Sequence, residues 1–348
     1  MPTVTPAPAA VRGAPIWLGM LVLYFVWGST YLGIAIAVDS IPPFLMAAVR
    51  FLIAGLVLLL WSVAREGRAF VVPTRREWRD SAIVGALLLG GGMGLVAFGE
   101  QTVPSGIAAL LIAMMPVWVA ILGGIFLGER LPRLAVVGIA VGFAGIAILV
   151  GPSALGGVGA LDPVGLVACL LSPIAWATGS LFASHRASLP RRPLVATGLQ
   201  MLLGGLVLAA AATVTGEVAT FDIGVVTRDS ALALLYLTVV GSLLAFTTFG
   251  WLLRVAPLPL VTTYAYVNPV VAVILGAIVL SEPIDARTVV AGGVIVFAVA
   301  LIVTARGRMR RPAPAADIEP DRAPGSDATL APAGGSSASP APRPASTP

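Results

Sequence analysis

The chain has 348 residues, of which 58% are hydrophobic and only 11% charged, with a net charge of +5. That is less than half the charge of an ordinary soluble domain, so a water-facing surface cannot be built and an integral membrane protein is expected. All 21 basic residues are Arg, which excludes a P-loop lysine, a Schiff-base lysine and a lysine general base.

The opening "MPTVTPAPAAVRG" is Pro/Ala-rich and predicts a disordered tail over 1–13. The first uncharged run follows, from Arg12 to Asp39. Ala35-Ile36-Ala37 resembles a signal cleavage site. The run is too long for a signal h-region, however, and a counterpart recurs later. Trp27 lies near its middle, followed by Ser29, Thr30 and Tyr31. A mid-depth indole N–H wants a polar partner. Trp27, Ser29 and Thr30 are therefore candidates for the wall of a polar cavity, with packing between related helices as the alternative.

The second run, Asp39 to Arg65, is broken only by Arg50. At about 1.5 Å per residue, Arg50 lies roughly 12 Å from the nearer helix end. A charge at that depth is costly and needs a partner. Glu100, at the end of the third run (Asp80–Glu100), is the candidate. The pair is either an ion pair or gate, or Arg50 serves a substrate carboxylate or proton coupling. "GGGMG" at 90–94 lacks a Lys and lies inside a span, so it reads as close helix packing rather than a phosphate loop.

The fourth helix, about 104–127, contains Met115 and Pro116, and Glu129 follows it. A mid-helix proline removes one backbone hydrogen bond, freeing the Ile112 carbonyl. In lipid such a carbonyl must face protein or a water-filled cavity. Pro116 is therefore a candidate hinge. The fifth run, Arg133 to Asp162, carries Gly138, Gly142 and Gly145 on a packing face.

After a linker at 152–161, the sixth run (Asp162–His185) has Trp176 near its middle, and the seventh spans Arg192 to Glu217. The eighth, Asp229 to Arg254, offers Thr247 and Thr248, weaker candidates because Thr often bonds its own helix. The ninth, about 257–280, contains Tyr264, Tyr266, Asn268 and Pro269 before Glu282. Pro269 is the second hinge candidate. Tyr264 and Asn268 share a helix face, and Asn268 both donates and accepts. Both are substrate-binding candidates, with interhelical bonding as the alternative. The tenth run ends at Arg306, and residues 306–348 form a basic, then low-complexity tail.

The fourth and ninth helices are near copies. "MPVWVAILGGIFLGE" at 115–129 matches "NPVVAVILGAIVLSE" at 268–282. A shift of 153 carries Pro104, Pro116 and Glu129 onto Pro257, Pro269 and Glu282, and a shift of 149 carries Trp27 onto Trp176. The chain is thus read as an all-α polytopic membrane protein, with ten transmembrane helices in two five-helix repeats, 14–151 and 162–305. An odd number per repeat inverts the second half, the plan of many secondary transporters. Arginines crowd alternate loops, from Arg65 to Arg79, at Arg130 and Arg133, and from Arg186 to Arg192. The positive-inside rule places those loops, and both termini, in the cytoplasm.

Three segments carry a family resemblance: "VWGSTYLGIAIAVDSIPPFLMAAVRFLIAGLVLL", "GEQTVPSGIAALLIAMMPVWVAILGGIFLGERL" and "YAYVNPVVAVILGAIVLSEP". They resemble EamA-type transporters of the drug/metabolite transporter superfamily, over about residues 16–305. The resemblance implies ten helices, cytoplasmic termini and efflux of small metabolites or drugs. Together these readings predict a secondary transporter of a bacterial inner membrane, not an enzyme. Its partners are a small-molecule substrate and the bilayer, with no cofactor, metal or nucleic acid, and either a monomer or a homodimer. An importer or facilitative uniporter is the alternative. The candidate substrate contacts are Trp27, Ser29, Thr30, Met115, Trp176, Tyr264 and Asn268.

Overall fold

The computed structural model describes residues 13–154, 161–256, 258–261 and 263–309. The N-terminal tail to residue 12, linker residues 155–160, Pro257, Thr262 and the C-terminal tail from residue 310 lie outside the described residues, as do the side chains of Arg254, Arg306 and Arg308.

Among the described residues no strand occurs, and the regular elements are helices. The long ones are α1 (Gly13–Val38), α2 (Pro43–Ala69), α3 (Arg75–Gly99), α4 (Ser105–Leu127), α5 (Arg133–Gly151), α6 (Pro163–His185), α7 (Pro193–Val214), α8 (Arg228–Leu252), α9 (Tyr264–Leu280) and α10 (Ala286–Ala305). All but α9 are long and apolar enough to cross a membrane, with mean hydropathy of 1.7–2.6. Ile53, Leu56, Leu60 and Trp61 on α2 are exposed, as residues facing lipid should be. The ends are set locally. Prolines 43, 163 and 193 open their helices, where the missing N–H costs nothing. Asp162 accepts from Gly165 N at 2.7 Å to cap α6, and Thr74 with Glu77 forms a capping box on α3.

The inversion of the halves is visible in how equivalent helices meet. The α2 and α7 helices pack against each other. Glu66, near the end of α2, pairs with Arg192 before α7. Glu217, just beyond α7, accepts from Leu45 N at 2.8 Å at the start of α2. Each helix therefore starts where the other ends. On α5 and α10, Gly138, Gly142 and Gly145 face Ile302, Ala298 and Ile295 in turn, again antiparallel. Glu282, beyond the end of α9, accepts from Ser105 N (2.7 Å) and Gly106 N (3.0 Å) at the start of α4. Three equivalent pairs thus run in opposite directions, which defines an inverted repeat. The glycines expected to pack do so: Gly90 meets Val207, Gly92 meets Trp176 and Gly94 meets Leu208.

Glu282 answers the question its position raises. A carboxylate at a helix C-terminus is unfavourable for its own helix. Here it serves another helix's N-terminus, where two orphan N–H groups and the positive dipole end await it. Glu282→Ala should lower stability by about 2 kcal/mol, the value of charge-assisted bonds whose donors are then orphaned. Thermal unfolding of the purified protein in detergent measures this, and Glu282→Gln should lose less.

The inner ends of α4 and α9 depart from regular helices in different ways. The α4 helix divides into Ser105–Ile112 and Met115–Leu127, with Pro116 in the first turn of the second piece. The expected kink is thus a full break placed just before the proline, where a missing N–H is tolerated. The α9 helix begins at Tyr264 rather than at about 257, preceded by a separate turn at Leu258–Val261. Pro269 lies inside it. Thr263, between the two pieces, donates its hydroxyl to the Leu260 carbonyl at 2.6 Å and hydrogen-bonds the Tyr24 hydroxyl. The α3 and α8 helices also widen into π turns at equivalent places, Ala86–Met93 and Leu237–Leu244, which hydropathy alone could not foretell.

Candidate substrate cavity

A cavity of about 110 Å³ lies between the halves. It is bounded by α1, α2, α3, α4, α6, α8 and α9, so both repeats supply its wall. Trp27, Thr30, Met115, Trp176, Tyr264 and Asn268 all line it, as do Arg50, Pro116 and Pro269. Ile112 and Ala265, four residues before the two prolines, line it as well. The carbonyls deprived of a proline N–H therefore belong to cavity residues, as lipid exclusion requires.

Trp27 stands in an aromatic group. Its ring lies 4.9 Å from Tyr264, 5.1 Å from Phe249 and 5.4 Å from Phe246, two of them edge-on, the favoured aromatic geometry. Its counterpart Trp176 instead lies over Gly92, where a Cβ would come within 2.7 Å of the indole. The two halves share a tryptophan but not its surroundings. Asn268 is 8% exposed. Its amide is assigned from the hydrogen-bond network, with nitrogen toward the Tyr264 carbonyl (3.1 Å) and the Tyr24 carbonyl (3.3 Å).

Two expected site residues are elsewhere. Ser29 faces a separate groove, and its hydroxyl bonds the Tyr236 hydroxyl at 2.6 Å. Two residues on from Trp27, it is turned about 200° around the helix, whereas Thr30 and Tyr31 return to the Trp27 face. Glu100 is 6% exposed but does not line the cavity. The ion pair expected between Arg50 and Glu100 is not formed. Arg50 donates Nε to Ser242 Oγ at 2.8 Å, and neither Glu100 carboxyl oxygen has a hydrogen-bond partner among the described residues. Arg50 reaches sideways to α8 because Gly241 leaves room; a Cβ there would lie 3.2 Å from Nη2. Thr247 bonds the Leu243 carbonyl of its own helix at 2.7 Å, and Met114 is buried against Gly142.

The cavity also contains Tyr31, Ile34, Ser172 and Phe246, which the sequence reading left aside. Tyr31 and Ile34 follow Trp27 at i+4 and i+7, and Ser172 precedes Trp176 by four. Helical period was the available signal for these three. Phe246 carried none, because an apolar run does not distinguish a lipid-facing from a cavity-facing ring.

Inverted five-helix halves around a central cavity, with broken helices at that depth, are the architecture of a membrane transporter. The chain belongs to the EamA-like transporter family, whose model matches residues 15–151 and again 163–304. It is 40% identical over 289 residues to the uncharacterized inner membrane transporter YedA of Escherichia coli K12, covering 83% of this chain and 90% of that protein. It is 30% identical to protein PecM of Dickeya dadantii, over 80% of this chain and 88% of that one. A probable amino-acid metabolite efflux pump of Salmonella typhimurium is 29% identical, over 84% and 96%. A solved crystal structure with 23% identity matches at a TM-score of 0.57 over 86% of this chain and 100% of the other, and shares the fold.

Proposed function

We propose that the protein moves small organic solutes of amino-acid size outward across the bacterial inner membrane by alternating access. The observation that carries this reading is the cavity between antiparallel equivalent helices, lined by Pro116 and Pro269. Two inverted halves can rock about such a site and expose it to either face in turn. A Salmonella relative named as an efflux pump supports the direction. The arginine-rich ends are cytoplasmic by the positive-inside rule, which puts both termini inside. Trp27, Thr30, Met115, Trp176, Tyr264 and Asn268 contact the solute, and Pro116 and Pro269 act as hinges. A facilitative uniporter is the second reading, favoured by one fact: among the described residues no Asp or Glu lines the cavity to carry a coupling proton.

Purified protein in liposomes loaded with labelled amino acids, with and without a pH gradient, tests both. Movement that responds to the gradient supports coupling, and movement that ignores it supports uniport. No movement of any solute would overturn the reading. Pro116→Ala should restore the missing donor and stiffen α4. Transport should then fall about tenfold, ~1.4 kcal/mol on the barrier, with expression unchanged. Normal transport in both Pro116→Ala and Pro269→Ala would remove the hinges.

A further inference from the structure

We infer that Arg50 holds a carboxylate of the transported solute, so that the protein selects small carboxylates over their uncharged or cationic counterparts. This rests on reading the central cavity as the transport site.

Arg50 is 2% exposed, lies within α2 and borders the cavity. Its guanidinium makes one hydrogen bond among the described residues, from Nε to Ser242 Oγ at 2.8 Å. Its carbon lies 4.8 Å from the centre of the Phe51 ring. These two contacts fix the plane of the group. Arg50 forms no ion pair among the described residues, and its Nη2 lies beside Gly241 of α8. A guanidinium held through Nε therefore stands at the cavity wall with no carboxylate of the protein paired to it, and a planar guanidinium is the group that matches a carboxylate edge.

Charge supports the same assignment. A guanidinium inside a span is costly unless an anion compensates it. Among the described residues no acid lines the cavity, and Glu100 makes no ion pair with Arg50. The cavity wall thus carries a positive group that no acid pairs directly, Glu100 acting on it only at longer range, which favours anions over cations. Much of its remaining wall is apolar or aromatic, including Trp27, Met115, Trp176 and Phe246, with Thr30, Ser172 and Asn268 as neutral polar groups. The 110 Å³ volume, at about 10–15 Å³ per water, has room for roughly seven to eleven waters. A carboxylate with a short apolar side chain has a comparable number of heavy atoms.

Three probes of one carbon skeleton test this: L-leucine, L-leucinamide and 4-methylpentanoate. Binding to the purified protein is read by thermal shift, and leucine movement is read in liposomes. The two carboxylates should bind and the amide should not. Arg50→Gln should weaken carboxylate binding about 30-fold or more, as expected for truncating one side of a buried charged contact, and leave the amide no worse than leucine. Arg50→Lys should keep the carboxylate preference at reduced affinity. Leucinamide binding the wild type as well as leucine would overturn the inference, as would an Arg50→Gln loss equal for all three probes, the mark of a structural role. Absence of binding by both carboxylates also overturns it. If Arg50→Gln does not fold, discrimination by the wild type decides. Movement of uncharged or cationic solutes without carboxylates would sink this inference and leave the transporter reading intact.

Discussion

Asn268→Leu should reduce transport roughly 100-fold, ~2.7 kcal/mol on the barrier, while the helices stay assembled. The volume changes little, so packing survives. The two carbonyls that receive its amide, Tyr264 and Tyr24, belong to helices, where backbone donors also serve them. Losing the side-chain bonds should therefore cost only about 0.6–1 kcal/mol of stability. Transport should suffer more, because the amide and the Tyr264 hydroxyl are the polar side-chain groups α9 brings to the cavity wall. With its nitrogen turned to those carbonyls, its Oδ1 is the atom that, under the proposed function, accepts from the solute. In the first repeat the equivalent place is Met115, which also lines the cavity. One half thus offers a polar contact and the other an apolar one. Liposome flux beside thermal unfolding separates the two effects. A variant that transports normally would remove Asn268 from the site.

Gly55→Val should prevent assembly of α2 on α7, a loss of about 3 kcal/mol or more. A Cβ at Gly55 would come 2.5 Å from Leu202 N and 2.8 Å from Gly198 O. Both are backbone atoms, so no rotamer change relieves the overlap. The equivalent Gly205 makes the reciprocal approach, with its Cβ site 3.0 Å from Leu52 N. The duplicated contact is thus used twice across one antiparallel interface. Without a hydrophobic force between helices in lipid, such close packing supplies much of the association energy. Low yield, aggregation on size-exclusion chromatography or a much reduced melting temperature is expected. Gly13→Val, where nothing lies within 4 Å, is the control and should behave as wild type.

The ten spans, the repeat and both prolines were legible in sequence because each depends on local properties. Hydropathy and length determine whether a segment enters lipid, and a proline removes its donor whatever surrounds it. The odd helix number per half implied inversion before α2 and α7 were seen head to tail. Much of the cavity wall was legible too, since Trp27, Thr30 and Trp176 were polar or amphipathic where lipid-facing residues should be apolar. Ser29 failed for a reason already present in the sequence: its angle on the helix. The partner expected for Arg50 was missed for a different one. Its depth was readable, but its choice of Ser242 over Glu100 depends on Gly241 of a helix nearly two hundred residues away.

By itself, then, the sequence determined a membrane-embedded, duplicated, all-helical chain with a proline in each of two matching helices. Tertiary structure alone decided which polar groups meet. It gave Glu282 to the start of α4, brought Trp27 and three further aromatic rings into one group, and set Arg50 at the cavity wall bonded to Ser242. The physical reason is the range of the forces involved. Transfer into lipid acts on each residue along the chain, whereas hydrogen bonds and charge pairs act over a few ångströms between helices whose facing sides only packing selects.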